Sequence, residues 1–234
     1  MIDPNYFLKG FKSIKGVGSP AIALGASFIA IGALLKNLGF SIQESIFSTF
    51  LTYALPGSLV MAESMLISAS LINIFIAVWL VNARLYPMTI SLMPLLMHEN
   101  QPRWKYYLSC HFIAVSSWLI MKENYEKIKK EKRIDFWIGI GTATWLVAII
   151  STIIGYLASD LLNKEMLIGL AIVNPVYFMC MMLGAMKTIQ ISLSVILGSI
   201  LGPVFYFLSP EWCILFGGFV AGTIAFLYGE RNGK

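Results

Sequence analysis

Long apolar runs that show no polar face limit what this chain can fold into more than any other feature. Pro20 to Leu35, Phe136 to Leu157, Met166 to Leu183, Ile189 to Leu208 and Trp212 to Tyr228 contain no charged residue, and each is bounded by polar or charged ones. A helix that is apolar all round must be buried in a large core or in lipid. About 20 such residues span the roughly 30 Å of a bilayer's hydrocarbon. With 58% hydrophobic and 12% charged residues and a mean hydropathy of +0.76, the chain lacks the polar residues to cover a water-soluble globule. The expected fold is all-α, a polytopic transmembrane helix bundle with lipid as its solvent.

Tyr106 to Met121 reads as a sixth, slightly short crossing. The 52 residues from Ile46 to Met97 would extend roughly 78 Å as one helix, too long for one crossing and enough for two. The count is eight crossings, some of them discontinuous, in one transmembrane domain covering residues 1–234. Lys and Arg in short loops collect on the cytoplasmic side. Residues 1–18, with Lys9, Lys12 and Lys15, and the loop 122–135, with Lys122, Lys127, Lys129, Lys130, Lys132 and Arg133, are therefore expected inside. The tail Glu230–Lys234 and the turn at Lys187 fall on the same side, and the loops at Asp160 and Glu211 outside. Both termini are then cytoplasmic. Residues 1–18 are too polar for the core of a signal peptide.

The net charge of +5 fits loops beside an anionic membrane face, and no basic, aromatic-interleaved patch points to nucleic acid. Cys110, Cys180 and Cys213 sit in or beside apolar spans and form no disulfide framework. Cys110-His111 has only His98 as a further histidine, so neither a metal nor another cofactor is expected. No Walker loop, H-E-x-x-H, G-x-S-x-G or G-x-G-x-x-G occurs. Without a cluster of acid, base and nucleophile, an enzyme is not expected. Trp104, Tyr106, Tyr107, Phe136, Trp137 and Trp212 stand where interfacial aromatic anchors belong. Gly198/Gly202 and Gly218/Gly222 are small-x-x-x-small helix faces suited to close packing.

Chemistry in a bilayer is marked by helix breakers and ionisable groups. Three places qualify. In Tyr53-Ala54-Leu55-Pro56-Gly57-Ser58, Pro56 removes a backbone donor and Gly57 loosens the chain, so a half-helix starting at Ser58 would present free N–H groups to an anion. In Asn82-Ala83-Arg84-Leu85-Tyr86-Pro87, the permanently charged Arg84 beside an amide is either an interfacial anchor or a two-pronged grip on a carboxylate. In Val173-Asn174-Pro175-Val176-Tyr177, Pro175 is expected to break the helix beside Asn174, echoing Pro56. Two proline-broken spans, each second in its half, suggest an internal repeat of two halves around a midplane site, or simply two kinks. Glu63 is either an interface-facing charge or a proton-coupling group.

The order of these features resembles the AzlC family, the large membrane subunit of bacterial branched-chain amino-acid exporters. Gly16 to Gly25 is similar to the family's first helix, Gly57-Ser58 to its Ala-Gly-Ser-like break, Asn82-Ala83-Arg84 followed by Ser91-Leu92-Met93-Pro94 to its Asn-x-Arg and Ser-Leu-x-Pro signature, and Gly169-Leu170 with Pro175 to its sixth span. The chain departs from the pattern at Leu59 and Val60, where the family often has Gln, and at Cys110, His111 and Phe112, where it often has an Asp-Glu pair. The resemblance implies export of small, branched-chain amino acids across a bacterial inner membrane with a small AzlD-type membrane subunit. The expected mechanism is alternating access around Pro56, Gly57, Ser58, Asn82, Arg84, Asn174 and Pro175, with Glu63 as the proton-coupling candidate. A passive pore or a non-transporting scaffold subunit is the alternative.

Overall fold

The computed structural model describes residues 2–15, 20–66, 68–83, 85–99, 101–161, 163–186, 189–208 and 213–232. Every regular element among them is helical: α1 (Pro4–Lys12), α2 (Pro20–Asn37), α3 (Ile42–Thr52), α4 (Leu55–Leu66), α5 (Leu71–Asn82), α6 (Leu85–Leu96), α7 (Arg103–Ser109), α8 (Val115–Asn124), α9 (Arg133–Ala158), α10 (Lys164–Ala185), α11 (Ile189–Leu208) and α12 (Cys213–Asn232). Packing divides the chain into two compact units, Met1–Asn174 and Pro175–Lys234. The all-helical membrane architecture expected from the sequence is the one observed.

By length and apolarity α2, α9 and α11 can each cross a membrane alone, and α5 with α6 makes a fourth such element if the pair, bent by 46°, is one span. The rest of the Ile46 to Met97 stretch is α3 and α4, two short helices where the sequence was read as one span with a break inside it. Ser41 starts α3 with a capping box, its hydroxyl accepting from Glu44 N–H and the Glu44 carboxylate accepting from Ser41 N–H. Ser70 caps α5 by accepting from Asn73 N–H.

Two expectations fail on local hydrogen bonding. The crossing drawn from Tyr106 to Met121 is not one helix: α7 gives way to a 3-10 turn at Cys110–Phe112, and Ala114 is extended. Ser117 holds this break, its hydroxyl accepting from Ala114 N–H at 3.0 Å and donating to Phe112 O at 2.6 Å. A hydroxyl at that position competes with the helix for backbone groups. Conversely, Pro175 does not end α10, which runs unbroken from Lys164 to Ala185. A proline inside a membrane helix removes one backbone donor, and such a loss is tolerated there without ending the helix.

In the first unit α9, about 39 Å long at 1.5 Å per residue, is the mast against which α1, α2, α3 and α8 pack. Glycines let the backbones touch. A Cβ on Gly10 would collide with the Phe136 carbonyl and one on Gly139 with the Phe7 carbonyl, joining α1 to α9. A Cβ on Gly32 would strike the Thr152 carbonyl and one on Gly155 the Ile29 carbonyl, joining α2 to α9. Trp137, read from the sequence as an interfacial anchor, is instead fully buried and donates from Nε1 to Ser109 O at 3.2 Å. Tyr106 and Phe136 are buried too, because α1 and α7 cover the start of α9. Trp104 and Tyr107 remain exposed, and Trp212 lies outside the described residues.

The N-terminal segment and the 122–135 loop meet at one end of this unit. Lys132 Nζ is 2.9 Å from the Asp3 carboxylate. Asp3 N–H donates to Asp135 Oδ2 at 3.1 Å, and Asp135 Oδ1 is 3.3 Å from Lys105 Nζ, with both side chains of that pair 2% exposed. Gln101 Oε1 accepts from Lys105 Nζ at 2.9 Å. At the other end Lys36 and Asp160 pair at 2.7 Å. The Lys132 ammonium holds the Asp3 carboxyl below its ordinary 3.8, and Asp3 holds Lys132 above its ordinary 10.5. The depressed acid stabilises docking above 3.8 and loses that effect as pH falls through its lowered value. The raised base stabilises docking below 10.5 and loses it as pH climbs past its own. Protease or cysteine-label access to α1 should therefore be flat from about pH 5 to pH 9 and rise only under stronger acid or stronger base, an expectation that a transition near pH 6 would contradict.

The second unit contains the α11–α12 pair, whose backbones approach at Gly217: a Cβ there would lie 3.3 Å from Gly202 Cα. Phe205 and Phe216 pack beside it with ring centroids 6.1 Å apart. Of the small-residue faces read from the sequence only Gly202 takes part. A Cβ on Gly198, Gly218 or Gly222 would meet nothing within 4 Å, because the contact runs through Gly217, one residue off the expected stripe.

Candidate functional site

Of the breaks in regular structure in the first unit, three bear on the site, at Tyr53–Ala54, after Asn82 and at Cys110–Ala114. The first two are in direct contact. Gly57 is buried, and a Cβ on it would lie 2.5 Å from Asn82 Nδ2 and 3.1 Å from Asn82 Cγ, so only glycine leaves room for the Asn82 carboxamide. Asn82 Oδ1 is buried there with no hydrogen-bond partner among the described residues. The start of α4 corrects the sequence reading by three residues: the helix begins at Leu55, with Pro56 in its first turn, where its missing N–H breaks no helical bond. Ser58 N–H already donates to Ala54 O at 3.0 Å. The N–H groups without a helical acceptor are therefore those of Leu55 and Gly57.

Around this contact lies a seam of hydroxyls. Ser58 is 1% exposed, and its Oγ is 3.1 Å from Thr52 Oγ1, which donates to Ser48 O at 2.7 Å. One turn earlier Thr49 Oγ1 meets Thr152 Oγ1 of α9 at 3.0 Å. Tyr53 is buried with its hydroxyl turned toward Thr144 of α9 and Ser116 of α8, yet neither the Tyr53 nor the Ser116 hydroxyl reaches hydrogen-bond geometry with a partner. The Ser27 and Ser48 hydroxyls are likewise buried and have no partner among the described residues. An unsatisfied buried hydroxyl costs about 1–3 kcal/mol. Such groups gathered in one unit call for water or a ligand to complete them.

The walls are apolar. Tyr53 belongs to a cluster with Leu24, Phe28, Ile31, Leu35, Ala62 and Ala148, against which Leu55, Leu59 and Ala114 pack. The third break closes it on one side: His111 lies 6.3 Å from the Tyr53 ring and 6.1 Å from Trp145, centroid to centroid. Trp145 Nε1 donates to Phe50 O at 3.3 Å. A small solute here would meet neutral donors and acceptors on one side and aliphatic surface on the other.

Of the residues singled out from sequence, the structure brings together Pro56, Gly57, Ser58 and Asn82. Arg84 lies outside the described residues, as do the side chains of Glu63, Asn174 and Pro175. The hydroxyls of Thr49, Thr52, Ser116, Thr144 and Thr152 were not foreseen. Their signal was nonetheless present in small polar residues within apolar helices, Thr144 and Thr152 being eight apart and so on one face of α9. Among the described residues no group of three or more His, Cys, Asp or Glu side chains could hold a metal ion.

Comparison with known families gives one match: the family described as AzlC protein, over residues 20–162, which is more than half of the chain and contains all three breaks. No curated protein and no solved structure matches.

Proposed function

We propose, from the premise that this chain belongs to the AzlC family, that it is a secondary transporter exporting small amino acids with branched aliphatic side chains. It would act across the bacterial inner membrane by alternating access, together with a small AzlD-type membrane subunit. The observation that supports this best is the Asn82 carboxamide, with its buried and unpartnered Oδ1, seated on Gly57 at the start of a half-helix. Asn82 offers an acceptor to a substrate ammonium, while the Leu55 and Gly57 N–H groups and the positive end of α4 suit a carboxylate. Leu55, Leu59 and Ala62 would accept the aliphatic group. In this reading Arg84 and Asn174 add polar contacts and Glu63 carries the coupled proton. Broken helices around a polar, lined site are how repeat-built carriers hold their cargo within the bilayer. An apolar pocket separates leucine or isoleucine from valine by no more than about 10–200-fold, the worth of one methylene.

Counterflow tests the proposal. Vesicles containing the chain and its small partner, preloaded with unlabelled leucine, should take up labelled leucine several-fold faster than empty ones, and lysine loading should give no such stimulation. Uptake indifferent to the internal amino acid would mean a pore. Absence of uptake with and without the partner would remove the transport reading.

A further inference from the structure

A cavity of about 950 Å³ opens between α6 and α7, away from the seam of hydroxyls. It lies at the upper end of the roughly 300–1,000 Å³ usual for ligand pockets. One wall is a stripe of Thr89, Met93 and Met97 at intervals of four residues, about 12 Å long at 1.5 Å per residue. Thr89 Oγ1 already donates to Leu85 O at 2.9 Å, so it turns no unsatisfied hydroxyl on the cavity. The other end is polar and carries Arg103 and Lys130 against one acid, Glu99. Among the described residues neither cation forms an ion pair.

The walls are fixed by side-chain to backbone bonds. His98 N–H donates to Tyr106 Oη at 3.0 Å, Gln101 Nε2 to Glu131 O at 3.1 Å, and Arg133 Nη1 to Leu95 O at 3.1 Å. Trp104 and Tyr107, 58% and 77% exposed at the start of α7, set the depth of the cavity mouth, because exposed aromatics of a membrane protein sit at the headgroup level. The polar end is thus at the interface and the methionine stripe runs toward the hydrocarbon.

We propose that this cavity binds one anionic phospholipid, its phosphate between Arg103 and Lys130 and one acyl chain along Met93 and Met97. The match is in charge and in polarity: two cations facing one carboxylate favour a monoanion at headgroup depth, and the apolar stripe accepts the first part of the tail leading away from it. Methionine's flexible thioether suits a chain of variable shape.

Native mass spectrometry of the full chain titrated with phosphatidylglycerol or phosphatidylcholine tests it. The expected result is one retained phosphatidylglycerol per chain, bound at least about tenfold more tightly than phosphatidylcholine. Arg103→Gln with Lys130→Gln should bring the two lipids to parity, both side chains being exposed. Lys129→Gln, an exposed neighbour that does not line the cavity, should leave the preference intact. Met97→Trp should weaken phosphatidylglycerol with both cations in place. The proposal is overturned if the double variant keeps the preference, if Lys129→Gln removes it equally, if Met97→Trp changes nothing, or if millimolar inorganic phosphate displaces the lipid.

Discussion

Asp135→Asn is expected to lower the stability of the folded chain by about 3–5 kcal/mol, the usual loss when one partner of a buried ion pair is removed and the other charge stays behind. Lys105 and Asp135 are each 2% exposed. With an amide opposite, the Lys105 ammonium keeps Gln101 but loses the Asp135 carboxylate. The same change weakens the acceptor of Asp3 N–H, through which α1 is tied to the start of α9. Unfolding in mixed micelles should show the loss, and limited proteolysis should show α1 released first. Lys105→Met combined with Asp135→Leu should lie nearer the wild type than either single change, since an apolar pair removes the desolvation cost of both ions. A single-variant loss below about 1 kcal/mol would show that water reaches the pair.

Gly57→Val should cut leucine exchange by about 100-fold while leaving the protein folded and in the membrane, the loss expected when a positioned group is displaced by an ångström or so. The new side chain would occupy the space of the Asn82 carboxamide, 2.5 Å from where its Cβ must sit, and would drive that amide off the start of α4. Gly57→Ala should give a smaller effect, because its single methyl displaces the flexible end of Asn82 by about an ångström, the shift needed to reach ordinary contact, without the further bulk of valine. Asn82→Ala should also lower flux, yet combining it with Gly57→Val should add little, since both remove the same contact. Flux within twofold of wild type in Gly57→Val would dismiss the Gly57–Asn82 contact from transport. Thermal melting of each variant separates lost function from lost fold.

The sequence carried the bundle and two of the three breaks because the signals were local. Charge-free runs mark helices in lipid, and Pro56-Gly57 and Asn82-Ala83 interrupt such runs with residues a helix interior disfavours. The break at Cys110–Ala114 has neither proline nor glycine. It depends on Ser117 outbidding the helix for the Ala114 N–H and the Phe112 carbonyl, which apolar patterning does not register. Pro175 failed in the opposite sense, as a breaker that α10 absorbs. Asp135 is one more charge of the 122–135 loop until α1 and α7 bury it beside Lys105. Trp137 matched an interfacial anchor by position alone, and only the packing of α1 and α7 onto α9 turns it inward. The hydroxyl seam stayed hidden for a similar reason: threonines 49 and 152 are 103 residues apart, and each alone is an unremarkable small residue in an apolar helix.

The glycine contacts along α9 have a mechanical consequence. Where a carbonyl of one helix sits in the place a Cβ would occupy on the next, the pair cannot slide or rotate without opening a gap in lipid, so α1, α2 and α9 are expected to act as a stator in the proposed transport cycle. Movement is left to the short pieces α3 to α8, whose joints at Tyr53–Ala54 and after Asn82 are natural hinges. Spin labels on α2 and α9 should keep one separation throughout turnover, while labels on α4 and α8 should report two.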